Sequence, residues 1–238
     1  MSNIVFISVF NLGCIEIAEN HILSLIRSGI YNYNAYVTDQ ESYDILSKKS
    51  YNVIYYPLEQ STEKMNFGTT GFNDFSYIRY KIINELLNQD KIVWYLDVDT
   101  VVFSDLNKLV TEFQSFDVVI QNDINMPCTG CMMFYPTVIS KQVVNTIYHS
   151  KTSSENDQIL LKILLNSTGN YIKLHVLDRD SFANGLLYFN ELSDNPKFRE
   201  IQLEFRNTTK PLYLVHANWM VGIDVKIQEL KNKKCWYL

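Results

Sequence analysis

Residues 91–103 read KIVWYLDVDTVVF. Ile92, Val93, Trp94, Tyr95 and Leu96 have the β-branched and aromatic make-up of a core strand, and Val101, Val102 and Phe103 resume the apolar run. Asp97 and Asp99 interrupt it. In extended chain, residues i and i+2 point to the same side, so the two carboxylates lie close together and repel. A cation beside them removes the conflict. Hard divalent ions take oxygen ligands, and Mg²⁺ is commonly shared between one or two carboxylates and substrate phosphates. The alternative is a pair of acids in a solvated turn, with Asp99 acting as a cap.

The segments around this run set its place in a fold. NIVFISVF and YNAYVTD read as strands flanking a helix from Ile15 to Ser28, which Gly29 closes. YNVIYYPL reads as a third strand. Asn73 or Asp74 opens a helix through Leu87, which feeds KIVWYL. Ser104 or Asp105 opens a short helix before the strand DVVIQN. Helices follow from about Thr137 to His149 and from Ser154 to Leu165, and YIKLHVL through PLYLVHANW is less regular. Alternating strands and helices predict an α/β sandwich around a mixed, mostly parallel sheet. Ligands of such sheets bind at the carboxyl ends of strands, where Asp97 and Asp99 lie.

The bulk properties fit one larger domain. The chain has 238 residues, is 47% hydrophobic and carries a net charge of −5. That balance argues against nucleic acid as a partner. The N-terminal strand lacks a basic leader, and no run reaches the roughly 18 apolar residues of a membrane span. The expectation is a soluble, cytoplasmic protein. Cys14, Cys128, Cys131 and Cys235 are few and scattered, which suits a reducing compartment. Cys128 and Cys131 form a lone C-x-x-C that reads as packing, since a zinc site needs a second pair. Without an export signal, the sequons at Asn166 and Asn207 read as chance matches.

Two enzyme classes place acids this way. DVDT fits the D-x-D-x-T opening of haloacid-dehalogenase-type phosphatases, but that class carries the motif on an early strand and needs a downstream acidic pair that is missing here. The second class is indicated by FGTTGFNDFSYIRYKIINELLNQDKIVWYLDVDTVV, CTGCMMFYPT, ENDQILL, DRDSFANGLLYF and HANWMVGIDVKI, taken in order. From about Phe67 to Ile227 these segments resemble glycosyltransferase family 77. The C-terminal segment also resembles the H-x-x-G-x-x-K motif of family 8, with wider spacing, through His216, Gly222 and Lys226. The first 60 residues match only in strand–helix order.

The resemblance implies a GT-A (Rossmann-like) fold over residues 1–238. Its nucleotide-binding half would span about 1–122 and its acceptor half about 123–238. It implies a metal-dependent, retaining hexosyl- or pentosyltransferase that uses a nucleotide-sugar, UDP in preference to GDP, and a glycan or other hydroxyl acceptor. Asp97, Asp99 and His216 would hold Mn²⁺ or Mg²⁺, with the imidazole favouring Mn²⁺. Lys226 would stabilise the leaving diphosphate, and Gly222 would allow close backbone approach. Arg79 would reach the donor, and Gly130, in CTG, would form a close wall for the sugar. Asp157 and Gln158 would lie beside the sugar; Asn156 with the acids after it equally reads as a helix start. Asn11, Thr38 and Asp39 would line the nucleotide pocket. FANG, 182–185, would shape the acceptor side, or be an Asn-Gly turn before a strand LLYF. Two other readings stand: a non-catalytic sugar-nucleotide or glycan-binding protein on this fold, and the phosphatase.

Overall fold

The computed structural model describes residues 3–58, 75–124, 126–150 and 156–238. A seven-stranded sheet runs through them. Its strands are β1 (Ile4–Phe10), β2 (Tyr33–Val37), β3 (Val53–Tyr55), β4 (Ile92–Leu96), β6 (Val118–Asn122), β7 (Pro127–Phe134) and β8 (Leu174–Val176), in the order β3-β2-β1-β4-β7-β6-β8. β7 is antiparallel to both its neighbours, and the other pairs are parallel. A smaller sheet, β5-β10-β9, is built from β5 (Thr100–Val102), β9 (Phe182–Ala183) and β10 (Leu214–His216).

The alternation within β4 explains the sandwich. Trp94 and Leu96 point to one face and pack with Phe6, Ile22 and Leu25. Val93 and Tyr95 point to the other and pack with Ile82, Ile83, Val144 and Leu161. The first face is covered by α1 (Ile15–Arg27) and α2 (Gln40–Ser47). The second is covered by α3 (Ile78–Leu87), α4 (Val138–His149) and α5 (Asp157–Ser167). With both faces covered, the central strand is apolar throughout, which is why KIVWYL carries no polar alternation. At the end of α1, Gly29 takes φ +81°, Ile30 N–H bonds Leu25 O and Gly29 N–H bonds Ile26 O. That is a Schellman closure, and its left-handed residue calls for glycine.

Three local expectations change or cannot be followed. LLYF is not a strand: Asn184 caps a short helix, α6 (Gly185–Tyr188), by accepting from Leu187 N–H. The asparagine side chain competes for the backbone donor, so the Asn-Gly pair starts a helix instead of a hairpin. Helix α5 starts at Asp157 with Asn156 as its cap. The caps expected at Asn73 or Asp74, and the start expected at Ser154, lie outside the described residues. Helices α7 (Pro196–Arg206) and α8 (Ile223–Asn232) complete the C-terminal part. No described helix is long and apolar enough to cross a membrane.

Candidate active site

The DVD run leaves the central sheet and enters the small one. Asp97 N–H donates to Gly130 O at 2.8 Å, still in register with β7. Thr100 N–H and Oγ1–H then both donate to Asp97 O, at 3.0 and 2.8 Å, closing a tight turn into β5. β5 pairs antiparallel with β10, which places His216 opposite Thr100, and Ala217 N–H donates to Asp99 O. Sheet register thus brings residue 216 to residues 97 and 99 across more than a hundred positions of sequence.

Asp97, Asp99 and His216 each offer a ligand atom within 4.8 Å of the others. His216 Nε2 lies 3.1 Å from Asp99 Oδ1 and 3.7 Å from Asp97 Oδ2. Lys226 Nζ, from α8, sits 2.6 Å from Asp99 Oδ2. Gly222 precedes that helix at φ +93°, a conformation a side chain resists. Burial alone would raise the Asp99 carboxyl; Lys226 and His216 overcome it and hold Asp99 well below the usual carboxylate range. Burial would likewise lower His216 and Lys226, but Asp99 raises both.

The back of the imidazole is fixed by a residue that the motifs did not mark. Gln121 Nε2 donates to the carbonyls of Phe182 and Ala183 at 3.2 and 3.1 Å. Carbonyls only accept, so Gln121 Oε1 must face His216 Nδ1, 3.1 Å away. That places a proton on Nδ1 and aims Nε2 at the two carboxylates, where a bound cation would take the place of the Nε2 proton, the usual arrangement behind a metal-binding histidine. Cys128 Sγ lies 3.4 Å from the same Nδ1. A polar residue inside the apolar strand DVVIQN was the available signal for Gln121. His21 supports the turn from α1: its Nδ1 is 3.0 Å from both Thr100 O and Thr100 Oγ1.

The residues fit a divalent cation. Two carboxylates and one oriented imidazole form the donor set, and the space is kept by the lack of a side chain at Gly130. A Cβ there would fall 2.2 Å from His216 Cε1 and 2.5 Å from Asp97 Oδ2. A side chain at Gly130 would therefore collide with His216 and Asp97 themselves, a constraint separate from the sugar wall that the sequence suggested.

Arg79 is buried on α3 behind this cluster. Nη1 bonds Asp97 Oδ1 at 3.2 Å, and Nη2 bonds Thr129 Oγ1 at 3.0 Å and pairs with Asp157. Burial opposes its charge, but Asp157, Tyr95 and Asp97 raise its pKa further. Tyr95 adds a 2.6 Å bond to Asp97 Oδ1, and Tyr80 a 2.8 Å bond to Asp157 Oδ2. Arg79 thus orients two acids. Asp157 is only 2% exposed, so its carboxylate is committed to Arg79 and Tyr80, while Gln158 follows it on the first turn of α5. At the ends of β1 and β2, Asp39 caps α2 by accepting from Ser42 N–H and also accepts from Leu12 N–H. Thr38 N–H bonds Phe10 O, and Asn11 is buried beside them.

A family profile, nucleotide-diphospho-sugar transferase, matches residues 29–230. The chain belongs to that family. The match begins earlier than Phe67, so the family likeness takes in β2, α2 and β3. Two curated relatives from Arabidopsis thaliana, UDP-D-xylose:L-fucose alpha-1,3-D-xylosyltransferase MGP4 and a second protein of the same activity name, are each 24% identical over 207 residues. The alignment covers 76% of this chain and 54% of each relative, so the chain spans about half their length. Among solved structures, mouse xyloside xylosyltransferase 1 superposes with a TM-score of 0.61 at 12% identity, covering 90% of this chain and 97% of that one. The galactosyltransferase LgtC with donor and acceptor sugar analogues gives 0.59 at 11% identity, covering 96% of both. These likenesses place the transferase chain in the GT-A fold.

Proposed function

We propose that the chain is a metal-dependent, retaining glycosyltransferase that moves a sugar from a nucleotide diphosphate, UDP in preference to GDP, to a hydroxyl of a glycan or other acceptor. The observation that carries this reading is the convergence of Asp97, Asp99, His216 and Lys226 at one strand end. The Arabidopsis relatives, named for UDP-D-xylose, favour a UDP-linked donor. Asp97, Asp99 and His216 would hold Mn²⁺ or Mg²⁺, and the imidazole nitrogen favours Mn²⁺. When bound, the cation supplies Lewis-acid stabilisation to the departing diphosphate.

The protein's own groups do the rest. Lys226 offers a point charge where negative charge grows as the glycosidic bond breaks. Arg79 and Tyr95 hold Asp97 in place. Asn11, Thr38 and Asp39 stand at the ends of β1 and β2, where the nucleotide would lie. An inverting route needs a free carboxylate to take the acceptor proton. Asp157 is engaged with Arg79 and Tyr80, and its neighbour Gln158 is a neutral amide. This favours retention, in which the acceptor approaches on the face the diphosphate leaves and the departing phosphate oxygen takes the proton. Gln158 would stabilise positive charge at the anomeric carbon through its amide oxygen.

The test is a panel of UDP- and GDP-sugars with Mn²⁺ or with EDTA, beside p-nitrophenyl phosphate. The reading expects slow, Mn²⁺-dependent release of UDP from one preferred donor. Binding without release would favour the non-catalytic reading, and phosphomonoester cleavage the phosphatase.

A further inference from the structure

The HANW and FANG segments converge on one side chain that the donor site leaves unexplained. Asp123 follows β6, two residues beyond Gln121. Its Oδ1 accepts from Asn184 Nδ2 at 2.9 Å, Asn218 Nδ2 at 3.2 Å and Trp219 Nε1 at 2.6 Å. Among the described residues, no hydrogen bond goes to its Oδ2. Asn218 Oδ1 in turn accepts from Gly185 N–H at 2.7 Å, and a Cβ on Gly185 would fall 1.7 Å from Asn218 O. One carboxylate oxygen is thus saturated by three donors from two chain segments, and the other is left to accept.

Trp219 is held in an unusual way. Its backbone lies in the left-handed region at φ +63°, as does Ile124 beside Asp123 at +66°. Bulky side chains rarely adopt that conformation, and such strain gathers at ligand sites. The indole N–H is fixed by Asp123, and Phe198 of α7 packs edge-to-face against the ring at 5.6 Å and 82°. Yet Trp219 is 43% exposed, with Val221 beside it at 81%. The ring is anchored at its polar edge and leaves apolar surface open to solvent.

The place of this ring links it to the reaction. Trp219 is three residues past His216. Asn218 Nδ2 also reaches Cys128 Sγ at 3.8 Å, and that sulfur touches His216 Nδ1. We propose that Trp219 and Asp123 form a platform for a pyranose ring of the acceptor, the sugar's C–H face stacking on the indole and its hydroxyls donating to Asp123 Oδ2. An aromatic face carries negative charge density that attracts C–H groups, and a few placed polar groups fix orientation, which is the chemistry that recognises a carbohydrate. The donor diphosphate belongs at the buried acids around Gly130, so the solvent-open ring serves the second substrate. This rests on the transferase reading above, and it narrows the acceptor class from any hydroxyl to a glycan.

The experiment uses saturation-transfer NMR on the whole chain with UDP and Mg²⁺. The probes are methyl α-L-fucopyranoside, methyl β-D-galactopyranoside and a Ser/Thr peptide, each at millimolar concentration. Calorimetry of UDP with Mn²⁺ runs in parallel on every variant. The platform predicts transfer to ring protons of at least one pyranoside. That signal should fall about tenfold in Trp219→Ala, the scale of losing one stacking contact, and be largely kept in Trp219→Phe. UDP affinity should be unchanged in both. Equal pyranoside signal in Trp219→Ala, no signal from any pyranoside with the unaltered chain, or signal only from the peptide would overturn it. Failure of UDP to bind the unaltered chain would instead sink the transferase reading, and the pyranoside signals would still decide the platform.

Discussion

Replacing Gly130 with alanine should disable the site while leaving the fold. The added Cβ would sit 2.2 Å from His216 Cε1, 2.9 Å from His216 Nε2 and 2.5 Å from Asp97 Oδ2. Carbon contacts settle near about 3.5 Å, so the imidazole or the strand must give by roughly 1 Å. β7 cannot easily retreat. It is paired to β4 through Leu96↔Cys131, and Asp97 N–H holds Gly130 O at 2.8 Å. The imidazole and the Asp97 carboxylate must therefore move, and both are proposed ligands. A displacement of about 1 Å in such a constellation costs on the order of 10²-fold in rate. Overpacking of this kind costs about 1–3 kcal/mol. For a chain of this size each kcal/mol lowers Tm by about 2–4 °C, so the variant stays folded at room temperature. Calorimetry of UDP with Mn²⁺ and a thermal melt separate the two effects. A variant with unaltered Mn²⁺-dependent affinity would refute the argument, because the ligands would then tolerate a side chain in their midst.

Other outcomes follow from neighbouring contacts. Burial lowers the His21 imidazole from 6.5 to about 4; in unfolded chain it takes a proton near 6.5, so between these values the unfolded state binds more protons. Its contribution is whole above pH 6.5 and is lost as pH falls toward 4, by about 3 kcal/mol at about 1.4 kcal/mol per unit. Urea unfolding at pH 7 and pH 4.5 should show that loss in the unaltered chain and a smaller one in His21→Phe; equal slopes would count against it. Lys226→Met should cut turnover by about 10²-fold without weakening Mn²⁺ binding, since Lys226 occupies Asp99 Oδ2 at 2.6 Å; steady-state kinetics that show only a higher donor KM would remove its charge from the bond-breaking step. Gln158→Ala should slow transfer by about 10²–10³-fold, and an α-linked donor should give an α-linked product by NMR; a β-linked product would exclude retention.

Much of the fold could be read from the chain because its signals are local. KIVWYL, NIVFISVF and DVVIQN are apolar runs of strand length, and the Ile15–Ser28 helix ends in a glycine that only a left-handed closure explains. Asp97 and Asp99 stood out because an i, i+2 acid pair at a strand end is costly without a cation, and His216 because its segment resembles the H-x-x-G-x-x-K motif; the structure draws the three together. What stayed hidden depends on register across distant strands. Gln121 matters because β6 sets it behind His216, and Gly130 because β7 passes within bonding distance of Asp97. Arg79 and Asp157 could each be singled out from the chain, but their mutual pairing, 78 positions apart, is a tertiary fact that no spacing encodes. FANG misled because Asn-Gly serves equally as a turn and as a helix start, and the choice was made by Leu187 N–H and Asn218.

The most direct test of the central claim is calorimetric titration of UDP into the unaltered chain, Asp99→Ala and His216→Ala, each with Mn²⁺ and with EDTA. The account predicts tight binding only for the unaltered chain with Mn²⁺, with both variants folded by thermal melt and reduced to the EDTA level. UDP affinity that is indifferent to Mn²⁺, or unchanged when either ligand is removed, would contradict it.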